Sequence, residues 1–116
     1  MNPEALVKEF AECVVAQNDA IARNDPQTGN KYAKRYIVAF EKLRRRGNEG
    51  RDALAVLLTD EHAAVRVMAA AYLLRHCGGK ARIVLEQEAK GKGLVAFGAA
   101  QALKRWDEGS WSLDPA

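Results

Sequence analysis

The residues that most often carry chemistry are few in this chain and widely spaced. His62 and His76 are its two histidines, and 14 positions is not a metal-ligand spacing on one helix. Cys77 adjoins His76 rather than standing one turn away. Cys13 and Cys77 form no CxxC and both sit among apolar residues, which predicts buried thiols rather than a disulfide or a metal pair. Asp60 and Glu61 read as the start of a helix, where acids favour the macrodipole. Glu86 and Glu88 read as a solvated face. No GxSxG, P-loop or GxGxxG occurs. The glycines of GKGLVAFG, residues 91–98, follow a helical pattern rather than a strand, so no phosphate cradle is expected there. Nothing pairs a nucleophile with a base. These patterns predict a non-enzymatic chain with no catalytic residues, no metal and no cofactor.

What remains is positive charge. The net charge is only +3, but it is unevenly placed. Residues 1–30 hold five acids and two bases, whereas residues 31–51 hold eight bases and two acids. On a helical wheel at about 100° per residue, Tyr32, Tyr36, Ala39, Phe40 and Leu43 fall on one side. Lys31, Lys34, Arg35, Lys42, Arg45 and Arg46 crowd an arc of about 120° opposite. Three readings fit: a solvated helix face, a docking surface for an acidic protein, or phosphate contacts to nucleic acid. The acidic first segment weighs against nucleic acid. So do Tyr32 and Tyr36, which the wheel turns to the core, leaving no aromatic between the bases for stacking.

The elements that must position this charge are helical. The 116 residues suit one domain, and 48 % hydrophobic residues allow a real core. No apolar run approaches a membrane span, and MNPEALVKEF lacks the pattern of a signal peptide, so the expected compartment is the cytoplasm. The spacing predicts a first helix over 3–23, with Asn2 as cap, Pro3 in the first turn, and Leu6, Phe10, Val14 and Ile21 sharing a face. NDPQTGN, residues 24–30, reads as a loop. Further helices are expected over 31–46, 49–58, 62–77, 79–90 and 93–106. No segment alternates with period two, so no strands are expected.

Two of these helices carry one pattern. VRVMAAAYL, residues 65–73, returns 30 positions later as VAFGAAQAL. Val65, Ala69, Ala70 and Leu73 match Val95, Ala99, Ala100 and Leu103, and Ala39 and Leu43 fit the same frame one period earlier. Small residues let helices approach closely and the leucines fill the seam. The pattern predicts an all-α fold: a short α-solenoid of about six helices in three stacked antiparallel pairs. The repeat units are expected at about 1–47, 48–78 and 79–107 of a single domain, with a C-terminal cap over 106–116 in which Trp106 and Trp111 close the last pair. The period aligns Arg45, Arg75 and Arg105 as one column, and Arg46, His76 and Trp106 as the next. All three arginines of the first column are expected in the last turns of their helices, where a cation favours the macrodipole.

The line LLTDEHAAVRVMAAAYL resembles the HEAT-like repeat of the phycobilisome-lyase type: an acidic turn at Asp60, then Val65-Arg66, Ala69-Ala70 and Leu73. The second copy has Ala96 in place of the arginine. Residues 30–109 resemble a family of small bacterial proteins catalogued as domain of unknown function two-thousand-nineteen. The matching elements are NKYAK, LRRRG at 43–47, ALAVLLTD at 53–60, Val65-Arg66, Ala69-Ala70, Leu85, Gly93-Leu94, Leu103, and Trp106 with Gly109. The resemblance implies a HEAT-like helical fold and no particular reaction. Some small HEAT-like proteins are immunity partners of bacterial toxins. By that analogy, the expected function is a protein-interaction module, most concretely an immunity-type protein that neutralises a cognate toxin. Its partner would have an acidic surface and meet Lys31, Lys34, Arg35, Lys42, Arg45, Arg46, Arg75, His76 and Arg105. The alternatives are a nucleic-acid-binding protein using the same basic face and, on the repeat resemblance alone, a lyase-type subunit.

Overall fold

The computed structural model describes residues 2–115. Met1 and Ala116, the outer bounds of the expected domain and cap, lie outside them. The described residues form six α-helices, one short 3-10 helix (Val56–Thr59) and no strand, as the periodicity predicts. The chain divides into two compact units, one ending at Leu57 and the other beginning at Leu58.

In the first unit, α1 (Pro3–Ala22) starts as expected: the Asn2 side chain accepts the backbone N–H of Ala5 at 2.8 Å and Pro3 occupies the first turn. Leu6, Phe10, Cys13, Val14 and Ala20 are buried, but Ile21 is exposed rather than part of that face. The expected loop over 24–30 is instead mostly helix. α2 runs Pro26–Arg44, because Asp25 caps it by accepting Thr28 N–H at 3.1 Å and Pro26 already holds a helical φ. Gly29 is buried within this first turn, 3.6 Å from Ile21 Cγ1 as measured from an ideal Cβ. It packs as a contact residue, not as a breaker. Phe10 meets Tyr36 edge-on at 5.6 Å, and Arg35 pairs with Glu9 at 2.8 Å, joining α1 to α2. α3 (Asn48–Ala55) buries Leu54 and packs on both. It lies so close to the end of α2 that a Cβ at Gly50 would fall 1.9 Å from the Leu43 carbonyl oxygen.

In the second unit, α4 (Ala63–Tyr72) is buried almost all round, from Val65 through Val67 to Ala69, Ala70, Ala71 and Tyr72. Such a helix must be central, and α5 (Gly78–Ala89) and α6 (Leu94–Glu108) pack on it and on each other. Arg66 ties α4 to α5 through Glu88 at 2.9 Å and also donates to the Asp60 carbonyl at 2.8 Å. Glu88 is therefore paired and half-buried rather than on a solvated face. Arg82 of α5 grips Asp107 of α6 with two donors at 3.1 and 3.4 Å. The two copies of the repeated line differ in burial: Ala70 is buried where Ala100 is exposed, and Leu73 is buried where Leu103 is half-buried. One sequence pattern serves a central helix and a peripheral one.

Candidate functional site

The candidate site is the outer face of α2. Its first residues are ordered by the Asp25 cap, and its inner face is fixed by Tyr36, Ala39, Phe40 and Leu43, all buried. That anchoring turns Lys31, Lys34, Arg35, Lys42, Arg45 and Arg46 outward, and all six are exposed. They are not equivalent. Arg35 is committed to Glu9 and lies 5.5 Å over the Tyr32 ring. Lys42, Arg45 and Arg46 line a groove of about 280 Å³ with Leu6 at its base. Tyr32 is half-buried and stacked with a guanidinium, so the expectation that it faces the core fails while Tyr36 meets it. Burial pushes the Tyr36 phenol pKa upward.

The basic face has an apolar centre that the sequence reading passed over. Val38 is 51 % exposed and Ile37 45 %. Val38 lies one turn from Lys34, Arg35 and Lys42, and two turns from Lys31 and Arg45. The signal was available, since position 38 falls in the middle of the basic arc on the same wheel.

The remaining residues expected at the site belong to the second unit. Arg105 is exposed in the last turn of α6, and His76 is half-buried. Arg75 is not in a last turn: α4 ends at Tyr72, and residues 73–76 form turns. Its guanidinium, half in solvent, pairs within the unit with the Asp114 carboxylate 3.4 Å away. Trp106 is half-buried and meets Trp111 edge-on at 5.1 Å.

The chemistry-bearing residues take structural positions. Asp60 accepts the backbone N–H of His62 at 3.0 Å and lies 3.3 Å from its ring, just ahead of α4. Cys13 is buried, and burial followed by the nearby Glu9 pushes its thiol pKa upward. Cys77 is only half-buried, at the cap of α5, so the expected burial holds for one cysteine of the two. A second groove, lined by Asn2, Pro3, Glu4, Glu49, Asp52 and Ala53, gathers acids from α1 and α3, of which Glu4 and Glu49 lie in first turns, where they favour the macrodipoles. Among the described residues, no helix is long and apolar enough to cross a membrane.

Residues 4–107 match the family model described as Domain of unknown function (DUF2019). The crystal structure of protein RPA1889 from Rhodopseudomonas palustris CGA009 is similar to this chain with a TM-score of 0.89, at 29 % identity over 97 % of this chain and 93 % of that one. No curated protein matches.

Proposed function

The chain belongs to the DUF2019 family, and from that premise we propose that it is a non-enzymatic, cytoplasmic protein-interaction module that docks an acidic partner on the outer face of α2. The observation that carries the reading is the exposed Val38 inside a ring of cations. Protein interfaces combine an apolar centre with a charged rim, the rim steering association and the centre excluding water. Arginine suits such a rim, since its planar fork holds carboxylates in bidentate pairs. The most concrete form of the reading is an immunity-type protein that occludes a toxin domain, by analogy with other small HEAT-like proteins. The HEAT-like, three-pair solenoid belongs to the same proposal and rests on the 30-residue period.

The rival, nucleic-acid binding, uses the same cations but has no need of Val38. Val38→Ser leaves the charge unchanged and removes the apolar centre. Partners captured from the source cell would be titrated by calorimetry against wild type, Val38→Ser and Lys42→Glu with Arg45→Glu. Docking by this face predicts at least a tenfold loss for Val38→Ser, about 1.4 kcal/mol. If Val38→Ser binds as wild type while mobility shifts of DNA or RNA fall steeply with salt, the face reads phosphates and the protein-docking reading is wrong.

A further inference from the structure

The segment after α6 sits in the second unit as a ligand would. Gly109, at φ 79° in the left-handed region, closes α6, and residues 110–115 lie outside any helix. The Ser110 hydroxyl donates to the Arg105 carbonyl at 3.4 Å, and Trp111 and Asp114 reach further, to the end of α4 and the turns after it. Trp111 donates its indole N–H to the Ala71 carbonyl at 2.8 Å, and its ring stands edge-on to Trp106. Three positions on, Asp114 is 1 % exposed, the one buried charged residue among those described. Arg75 reaches it at 3.4 Å and lies 5.7 Å over the Trp111 ring. Ser112 and Leu113, between them, are exposed.

The receiving half comes from elements that precede the tail. Ala71 lies in the last turn of α4, where carbonyls lack helical donors and seek others. Arg75, in the turns that follow, offers a guanidinium that suits both a carboxylate and an aromatic face. Trp106 of α6 supplies an aromatic wall. An acceptor for an indole N–H, an aromatic wall and a cation are thus set at the spacing of a Trp-x-x-Asp segment, with the two middle positions turned to solvent.

We propose that the groove formed by Ala71, Arg75 and Trp106 is a docking site for a Trp-x-x-Asp segment of a partner protein, and that the chain's own tail fills it until displaced. The tail identifies the occupant, because it shows which chemistry the groove accepts. A tethered segment acts at an effective concentration of roughly millimolar, so an external segment meets a groove already occupied. The apparent affinity is lowered by the fraction of time the tail is docked. The site is built wholly from residues of the second unit, and its test does not depend on the docking reading of α2.

The probe is a fluorescein-labelled peptide with the sequence of residues 109–115, titrated by anisotropy against the full-length chain and a full-length variant carrying Trp111→Ala and Asp114→Asn. The variant is expected to bind at least tenfold more tightly than wild type. Adding Arg75→Gln to the variant, or placing Asp114→Asn in the peptide, is expected to reverse that gain. Equal affinity for wild type and variant, or for the altered peptide, overturns the proposal. A dimer of the wild type that Asp114→Asn dissolves also overturns it, since a second copy would then be the occupant. If the double variant does not fold, indole hydrogen exchange of Trp111 in the wild type decides. Exchange faster than the slowest α4 amides supports a detachable tail. Exchange only with those amides makes the tail part of the core and overturns the proposal.

Discussion

Arg75 and Asp114 form an ion pair across 39 positions of chain, with the carboxylate 1 % exposed and the guanidinium half in solvent. The asymmetry sets the cost of breaking it. Arg75→Ala strips a partner from a buried carboxylate, which costs about 1–3 kcal/mol. Asp114→Asn removes the buried charge itself and leaves Arg75 to water, so the smaller loss is expected there. Urea unfolding of both variants checks the order, and equal losses would mean that desolvation of Asp114 does not govern the pair.

Gly50 and Gly98 are both helical glycines with opposite surroundings. A Cβ at Gly50 would lie 1.9 Å from the Leu43 carbonyl oxygen and 2.7 Å from its carbon, both backbone atoms, so α2 and α3 must separate. At Gly98 it would meet nothing within 4 Å. Gly50→Ala should therefore destabilise by about 1–3 kcal/mol or more, as overpacking does. Gly98→Ala should stabilise by about 0.5–1 kcal/mol through backbone entropy. Thermal melts of the two variants should move in opposite directions.

The alanines of the repeated line separate in the same way. Ala69 and Ala99 are fully buried, whereas Ala100 is exposed. Ala69→Leu and Ala99→Leu should each cost about 1–3 kcal/mol, while Ala100→Leu should stay within about 0.5 kcal/mol of wild type. Denaturant midpoints give the comparison. A loss at Ala100 equal to that at Ala70, its match in the first copy, would mean that the two helices are packed alike after all.

Asp25 gives the start of α2 a pH dependence. Its carboxylate accepts hydrogen bonds from Thr28, first from the side chain and then from the backbone N–H, which lowers its pKa below the usual value. A depressed folded-state pKa contributes stability that is fully present above the unfolded value, near 4, and is lost as pH falls through the folded value. Asp25→Ser keeps a capping oxygen that does not titrate. The melting difference between wild type and Asp25→Ser should be constant above about pH 5 and shift against wild type at lower pH. A difference that stays constant down to pH 2.5 would show that the carboxylate contributes nothing as a charge.

Local chemistry was legible where a contact lies within a turn or two of chain. The Asn2 cap, the buried stripe of α1, the inner face of α2 and the all-helical class follow from spacing alone. NDPQTGN shows how local reading goes astray: Asp-Pro is also a helix start, and Gly29 is a buried helical residue packed against Ala20 and Ile21 rather than a turn residue. The basic arc of α2 was likewise readable, and so was Val38 within it.

By itself the sequence determined the helical periods, the caps, the 30-residue repeat and the side of α2 that carries charge, because each depends on neighbours three, four or seven positions away. Tertiary structure alone decided that α4 is central and α6 peripheral, that Glu88 and Arg75 are bound inside the second unit, and that Gly50 admits no side chain. Those outcomes depend on partners 22 to 39 positions distant, or on the approach of one helix backbone to another. No periodicity encodes such a meeting; it follows from which surfaces must close to exclude water once the helices exist.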